Sequence, residues 1–170
     1  MSLAAQRMAD LGGYLLDPAY RVSDPRPQLG QLEAGFGFTL PADYRVFVTE
    51  YGGYSLPGFV EAPIVEPGHD DEFAGVEVFF GVYGLDQRGL PNAHDLLRNL
   101  NVYANRVPPG FLPIARGPGG NLICLVVHGD QTGAVYYWDH ETQGVLLTAQ
   151  AFQDFLSALS PGDYDDEAED

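Results

Sequence analysis

Phe111-Leu112-Pro113-Ile114-Ala115, Arg116-Gly117-Pro118-Gly119-Gly120-Asn121, Leu122-Ile123-Cys124-Leu125-Val126-Val127-His128, Asp130-Gln131-Thr132-Gly133 and Ala134-Val135-Tyr136-Tyr137-Trp138 form the stretch that decides the fold. Three runs rich in branched and aromatic residues are separated by clusters of Gly, Pro, Asn and Asp. That spacing predicts three strands joined by tight turns, an antiparallel meander. The middle run is apolar at every position from Leu122 to Val127 and reads as a continuous apolar strand.

Downstream, Phe152, Phe155, Leu156 and Leu159 recur at helical spacing, and a closing helix is expected from Thr148. After it, residues 161–170 (Pro161-Gly162, then Asp163 to Asp170) read as a disordered acidic tail.

Upstream, Val76, Val78 and Phe80 alternate with Glu77 and Phe79, which predicts a strand within Gly75 to Tyr83; a shorter apolar run spans Gly58 to Ala62. Between them lies the polar loop Glu66-Pro67-Gly68-His69-Asp70-Asp71-Glu72. A helix is expected from Asn92 as its cap through Leu96, Leu97, Leu100 and Tyr103.

Two further helices precede the sheet. Ser23-Asp24-Pro25 starts one that carries Leu29, Leu32 and Phe36 and ends at Gly35 and Gly37. The second follows Leu40-Pro41, with Tyr44, Phe47, Val48 and Tyr51 on its buried face, and Gly52-Gly53 terminates it because glycine accepts the left-handed conformation at a helix end. A short apolar-periodic stretch around Leu3, Met8 and Leu11, broken by Gly12-Gly13, opens the chain. Residues 1–22 thus read as an N-terminal extension to a single α+β domain over 23–160, a mainly antiparallel sheet flanked by helices.

The chain has 170 residues, 45% of them hydrophobic and 12% aromatic, enough for one substantial core. Its 24 acidic residues face 8 basic ones, a formal net charge of -16, and every basic residue is Arg. Without lysine or a basic cluster, the attraction that drives binding to phosphate backbones is missing, so nucleic acid is not an expected partner. The same field repels anionic membranes and steers basic proteins toward the surface. The plainer consequence of such acidity is solubility.

The single cysteine, Cys124, sits in the central apolar run and reads as a buried thiol. No stretch approaches the length of a membrane span, and Met1 to Asp10 lacks the basic flank of a signal peptide, so a cytoplasmic location is expected.

The motifs of nucleophilic enzymes are missing. There is no Gly-x-Ser-x-Gly, and the Gly117–Gly120 run lies between strands with neither the lysine nor the helix that a phosphate loop needs. His69-Asp70-Asp71-Glu72 and Asp139-His140-Glu141 place hard ligands close together but without metal-site periodicity. His94 and His128 look isolated. No metal, cofactor or catalytic residue is therefore expected.

Three segments together resemble the SUKH superfamily. The first runs from Leu32 through Leu40-Pro41 to Tyr51-Gly52-Gly53; the second is Phe111 to Ala115 with Gly119-Gly120-Asn121 and Leu122 to Leu125; the third is Gly133 to Glu141 with the helix Phe152 to Leu159. They cover most of Pro25 to Leu159. The N-terminal extension, the Asn92–Arg106 insert-like helix and the acidic tail depart from a minimal member.

The superfamily includes the yeast regulator of cell-wall synthesis and many bacterial immunity proteins. The resemblance implies a scaffold, with Leu40, Pro41, Gly52, Gly53, Gly120, Asn121 and Trp138 as structural positions, that binds and neutralises a toxin domain of nuclease or deaminase type without catalysis. Glu66, Asp70, Asp71, Glu72, Asp139 and Glu141 are the candidate contacts to a basic toxin. The competing expectations are a regulatory or scaffolding module with a host partner, as in the cell-wall regulator, and a small-ligand binder with a pocket near Trp138 and the Gly119-Gly120-Asn121 turn.

Overall fold

The computed structural model describes residues 1–162. Helices α1 (Leu3–Asp10), α2 (Arg26–Phe36), α3 (Ala42–Tyr51), α4 (Leu96–Tyr103) and α5 (Phe152–Ala158) surround one sheet. Its strands are β1 (Tyr14–Leu15), β2 (Tyr54–Pro63), β3 (Phe73–Phe79), β4 (Phe111–Arg116), β5 (Leu122–Val126), β6 (Val135–Trp138), β7 (Val145–Ala149) and β8 (Ser160–Pro161). Strands β1 to β7 are neighbours in chain order, and β8 adds to β2. Every pairing is antiparallel, so the chain is the α+β domain the turn spacing predicts.

The meander forms in the expected register, with Leu112 opposite Leu125 and Leu122 opposite Trp138. All five residues of β5 are buried, which is what a continuous apolar run produces when both faces are covered. Cys124 lies there, and burial pushes its thiol far above the ordinary value. Helix α3 packs on β3 and on α5, which itself lies against β2 and β7. Phe47 meets Phe79 at 4.8 Å and Phe152 at 5.0 Å, and Tyr44 meets Phe152 edge-on at 5.2 Å. Such aromatic contacts add roughly 0.5–1.5 kcal/mol per pair beyond the buried area.

Helix α2 is tied to α3 through Glu33. Its Oε2 accepts from the Leu40 N–H at 2.8 Å and its Oε1 pairs with Arg45. Leu40 is buried, and Pro41 holds the extended backbone that lets α3 start, so the two residues set the angle between the helices.

Four expected element boundaries need correction. The helix expected from Asn92 begins at Leu96, because the Asp95 carboxylate accepts the Arg98 N–H while Asn92 caps only a turn, accepting from His94 N. The closing helix does not start at Thr148. That residue belongs to β7, whose short Val-Leu-Leu run carried no alternation, and its hydroxyl donates to the Val135 carbonyl.

Strand β3 ends at Phe79; the chain then peels away so that Val82 and Tyr83 pair with Val22 and Arg21. Finally, Pro161 is not tail but part of β8 opposite Val60. The remainder of the expected tail, residues 163–170, lies outside the described residues.

Residues 1–22 contribute α1 and β1, with Met8 and Leu11 buried in the common core. Gly52 ends α3 for a reason other than a left-handed conformation: its φ is -57°. A Cβ there would stand 2.6 Å from the Val48 carbonyl oxygen and 2.9 Å from the Gly81 Cα, so close backbone approach demands the glycine. Gly53, at φ +90°, is the residue that turns left-handed.

Candidate partner-binding surface

In an antiparallel meander alternate connections emerge at the same end of the sheet. The β2–β3, β4–β5 and β6–β7 connections therefore share one end, and they carry all six acids singled out in the sequence. A groove of about 490 Å³ lies there, with His69, Glu72 and Phe73 on one side and Tyr137, Asp139, Thr142 and Leu146 on the other. No arginine lines it.

The acids differ in how they are used. Glu66 is half-buried, and its Oε2 accepts from Leu147 N at 2.9 Å while Val65 N and Glu66 N donate to the Leu147 carbonyl. The loop after β2 is thereby fastened to β7, at the other side of the curled sheet. Asp139 shapes its own turn, its Oδ1 accepting from Glu141 N at 2.8 Å. Glu72 Oε2 meets His69 Nδ1 at 2.6 Å. Asp70, Asp71 and Glu141 are exposed and make no side-chain bond among the described residues. These three are available to a partner.

The Gly120-Asn121 turn buttresses this end. Asn121 Nδ2 donates to Tyr137 Oη at 2.6 Å, and Asn121 Oδ1 accepts from His140 N at 3.0 Å and contacts His140 Nδ1 at 2.7 Å. That geometry places the proton on Nδ1. Gly120 has φ +88°, so a side chain here would be strained although its Cβ would meet the His140 ring only in ordinary contact at 3.9 Å. Burial first, and then the negative charges of Asp139 and Glu141, raise the Tyr137 hydroxyl above the usual phenolic range. The surface is thus polar, negative and built on backbone-anchored turns.

Trp138 does not form a platform for a ligand. It is wholly buried, with Tyr103 edge-on at 5.8 Å and the Arg106 guanidinium 5.3 Å from its ring. Among the described residues no group of three or more His, Cys, Asp or Glu is arranged to hold a metal ion, and no helix is long and apolar enough to cross a membrane.

Sequence reasoning missed a second concavity. Phe36 and Leu97 belong to two of the helices expected from apolar spacing, yet they are 42% and 47% exposed and line an apolar groove between α2 and α4. The signal was present: adjacent Leu96 and Leu97 cannot face the same side of a helix.

The curated proteins include a relative, the SPbeta prophage-derived uncharacterized protein YokK of Bacillus subtilis (strain 168), which is 31% identical with 78% of this chain and 72% of the relative covered. The model of the SMI1/KNR4 family (SUKH-1) matches residues 28–158, which take in most of α2, then α3, α4, strands β2 to β7 and α5. A Leu-Pro link between the first two helices, a glycine pair after α3 and an Asn-anchored hairpin turn in a seven-strand meander therefore have one explanation: this chain belongs to the SMI1/KNR4 (SUKH-1) family.

Proposed function

We propose that this protein is a non-catalytic binding domain that neutralises a basic toxin domain, of nuclease or deaminase type, by covering it with the acidic end of its sheet. The observation that carries this reading is the convergence of two acidic loops from distant parts of the chain on one groove that no arginine lines. Family membership supports interaction with another protein in general. An enzyme that acts on nucleic acid presents a positive cleft to phosphates, and a negative surface held by anchored turns competes for it. Asp70, Asp71 and Glu141 are the contacts, with Phe73 and Tyr137 as the apolar part of the interface. The other acids hold the shape.

The full chain is used as bait in native cytosol at low and then moderate salt, with captured proteins identified and then expressed alone. Recovery of a basic protein that arrests growth alone, is relieved by co-expression of this chain, and escapes the Asp70→Lys/Asp71→Lys variant is the expected result. Capture of only non-toxic host proteins overturns the toxin reading in favour of a regulatory module.

A further inference from the structure

The apolar groove lies between α2 and the β3–β4 connection, which leaves from the sheet end opposite the acidic groove. It measures about 620 Å³ and is walled by α2 and α4, with residues of the 82–91 segment completing it. Phe36, Leu85, Leu97 and Val102 line it at 42, 62, 47 and 49% exposure, so four of the chain's exposed large apolar side chains gather in one concavity. Contiguous exposed apolar surface of this kind marks an interaction site more often than scattered residues do.

The walls restrict what can bind. Helices satisfy their own backbone bonds, so α2 and α4 offer no free ladder to which an extended strand could add. An occupant that also satisfies its own backbone, an α-helix, fits by side chains alone.

Charge narrows the choice further. Asp95 also lines the groove, but its Oδ1 accepts from Tyr83 N and its Oδ2 from Arg98 N, both at 3.0 Å. Arg98 has no carboxylate partner among the described residues; its guanidinium reaches only the Ala93 carbonyl, at 3.5 Å. Among the described residues, the groove rim thus carries a guanidinium outside any ion pair, beside a carboxylate already committed to backbone donors.

The groove is also preformed. Tyr83 Oη donates to the Leu16 carbonyl at 2.8 Å, and Asp86 Oδ1 holds the turn by accepting from Arg88 N and Leu90 N. Little ordering cost remains for binding.

We propose that this groove docks an amphipathic α-helix of a partner protein, its apolar face against Phe36, Leu85, Leu97 and Val102 and one Asp or Glu against Arg98. The site is separate from the acidic end and does not depend on the toxin reading.

The test uses the full chain and three designed sixteen-residue helical peptides with one leucine face, identical except for Glu, Gln or Lys at the position set to meet Arg98. Fluorescence anisotropy is expected to rank them Glu, Gln, Lys, with about tenfold between the ends at low salt. Arg98→Glu inverts that order, and Leu97→Asp weakens all three by more than tenfold while the thermal melt stays within a few degrees. Equal affinities for the three peptides, no saturable binding, or binding that survives Leu97→Asp overturns the proposal. Sedimentation of the wild-type chain as a dimer that Leu97→Asp dissolves also overturns it, since the groove is then a self-interface. Asp70→Lys/Asp71→Lys leaves peptide binding unchanged, which separates this outcome from failure of the toxin reading.

Discussion

The two ends of the sheet solve the problem of presenting a surface in opposite ways. At the acidic end, charged residues sit in hairpin loops, and half of the six acids singled out from the sequence serve the loops themselves: Glu66 bonds β7, Asp139 its own turn and Glu72 pairs with His69. At the other, apolar residues on two helices and a connecting segment remain uncovered although their types suggest core. Charge alone overstates the first surface and hydrophobicity conceals the second, because what a side chain offers depends on which partners the fold has already given it.

Separate perturbations of the two ends test that contrast. The largest effect is expected from reversing the three unengaged acids together, Asp70→Lys/Asp71→Lys/Glu141→Lys. Affinity for a basic toxin partner falls roughly 100-fold at low salt, chiefly through the association rate, and the difference shrinks at high salt. Stopped-flow kinetics measure it; a salt-independent loss would remove the steering explanation.

Gly52→Ala disturbs the apolar side instead. The new Cβ must push the Val48 carbonyl or the Gly81 backbone, which leads directly into Val82 and Tyr83 of the apolar groove. A cost of about 2 kcal/mol is expected from overpacking, seen as a lowered denaturant midpoint, with helical-peptide binding weakened and binding at the acidic end retained.

Asn121→Ala strips Tyr137 Oη and His140 N of their partners, and about 1–2 kcal/mol of stability should go with them. Amide exchange is expected to quicken at the β6–β7 turn and not in α2 or α4. Glu66→Ala costs about 1 kcal/mol by leaving Leu147 N without its side-chain acceptor, whereas Glu66→Gln keeps a carbonyl there and is near neutral. Equal melts for the two would show that the bond carries no stability.

The smallest effect is a pH dependence on the apolar side. Burial works to raise the Glu33 pKa, but the Arg45 bond and the Leu40 N–H together outweigh it and leave it below the ordinary value of 4.5. A depressed folded pKa means that stability is fully present above the unfolded value and is lost as pH falls through the folded one. Acidification below pH 4.5 should therefore loosen the tie of α2 to α3, and Glu33→Gln should show a shallower acid limb in urea unfolding.

Much of this molecule is legible from local pattern. The strand runs around Gly117–Asn121 and Asp130–Gly133 fix the meander, since turn residues and branched residues act over a few positions. The helical spacing of Tyr44, Phe47 and Val48 places α3 without reference to anything distant. Strand β7 was not legible, because Val145 to Ala149 has no alternation and is held by pairing with β6 and by the Glu66 loop. Nor were β1 and β8: two residues each become strands only because β2 stands beside them.

The same division applies to the surfaces. Sequence by itself determined an acidic α+β domain with loops rich in carboxylates, because charge, turn chemistry and hydrophobic period belong to residues and their near neighbours. Only the tertiary structure decided which carboxylates stay unengaged, that Trp138 is core, and that Leu97 and Phe36 face an open groove. Those outcomes rest on contacts between segments far apart in the chain, and no local property encodes which of two apolar faces a neighbouring element will cover.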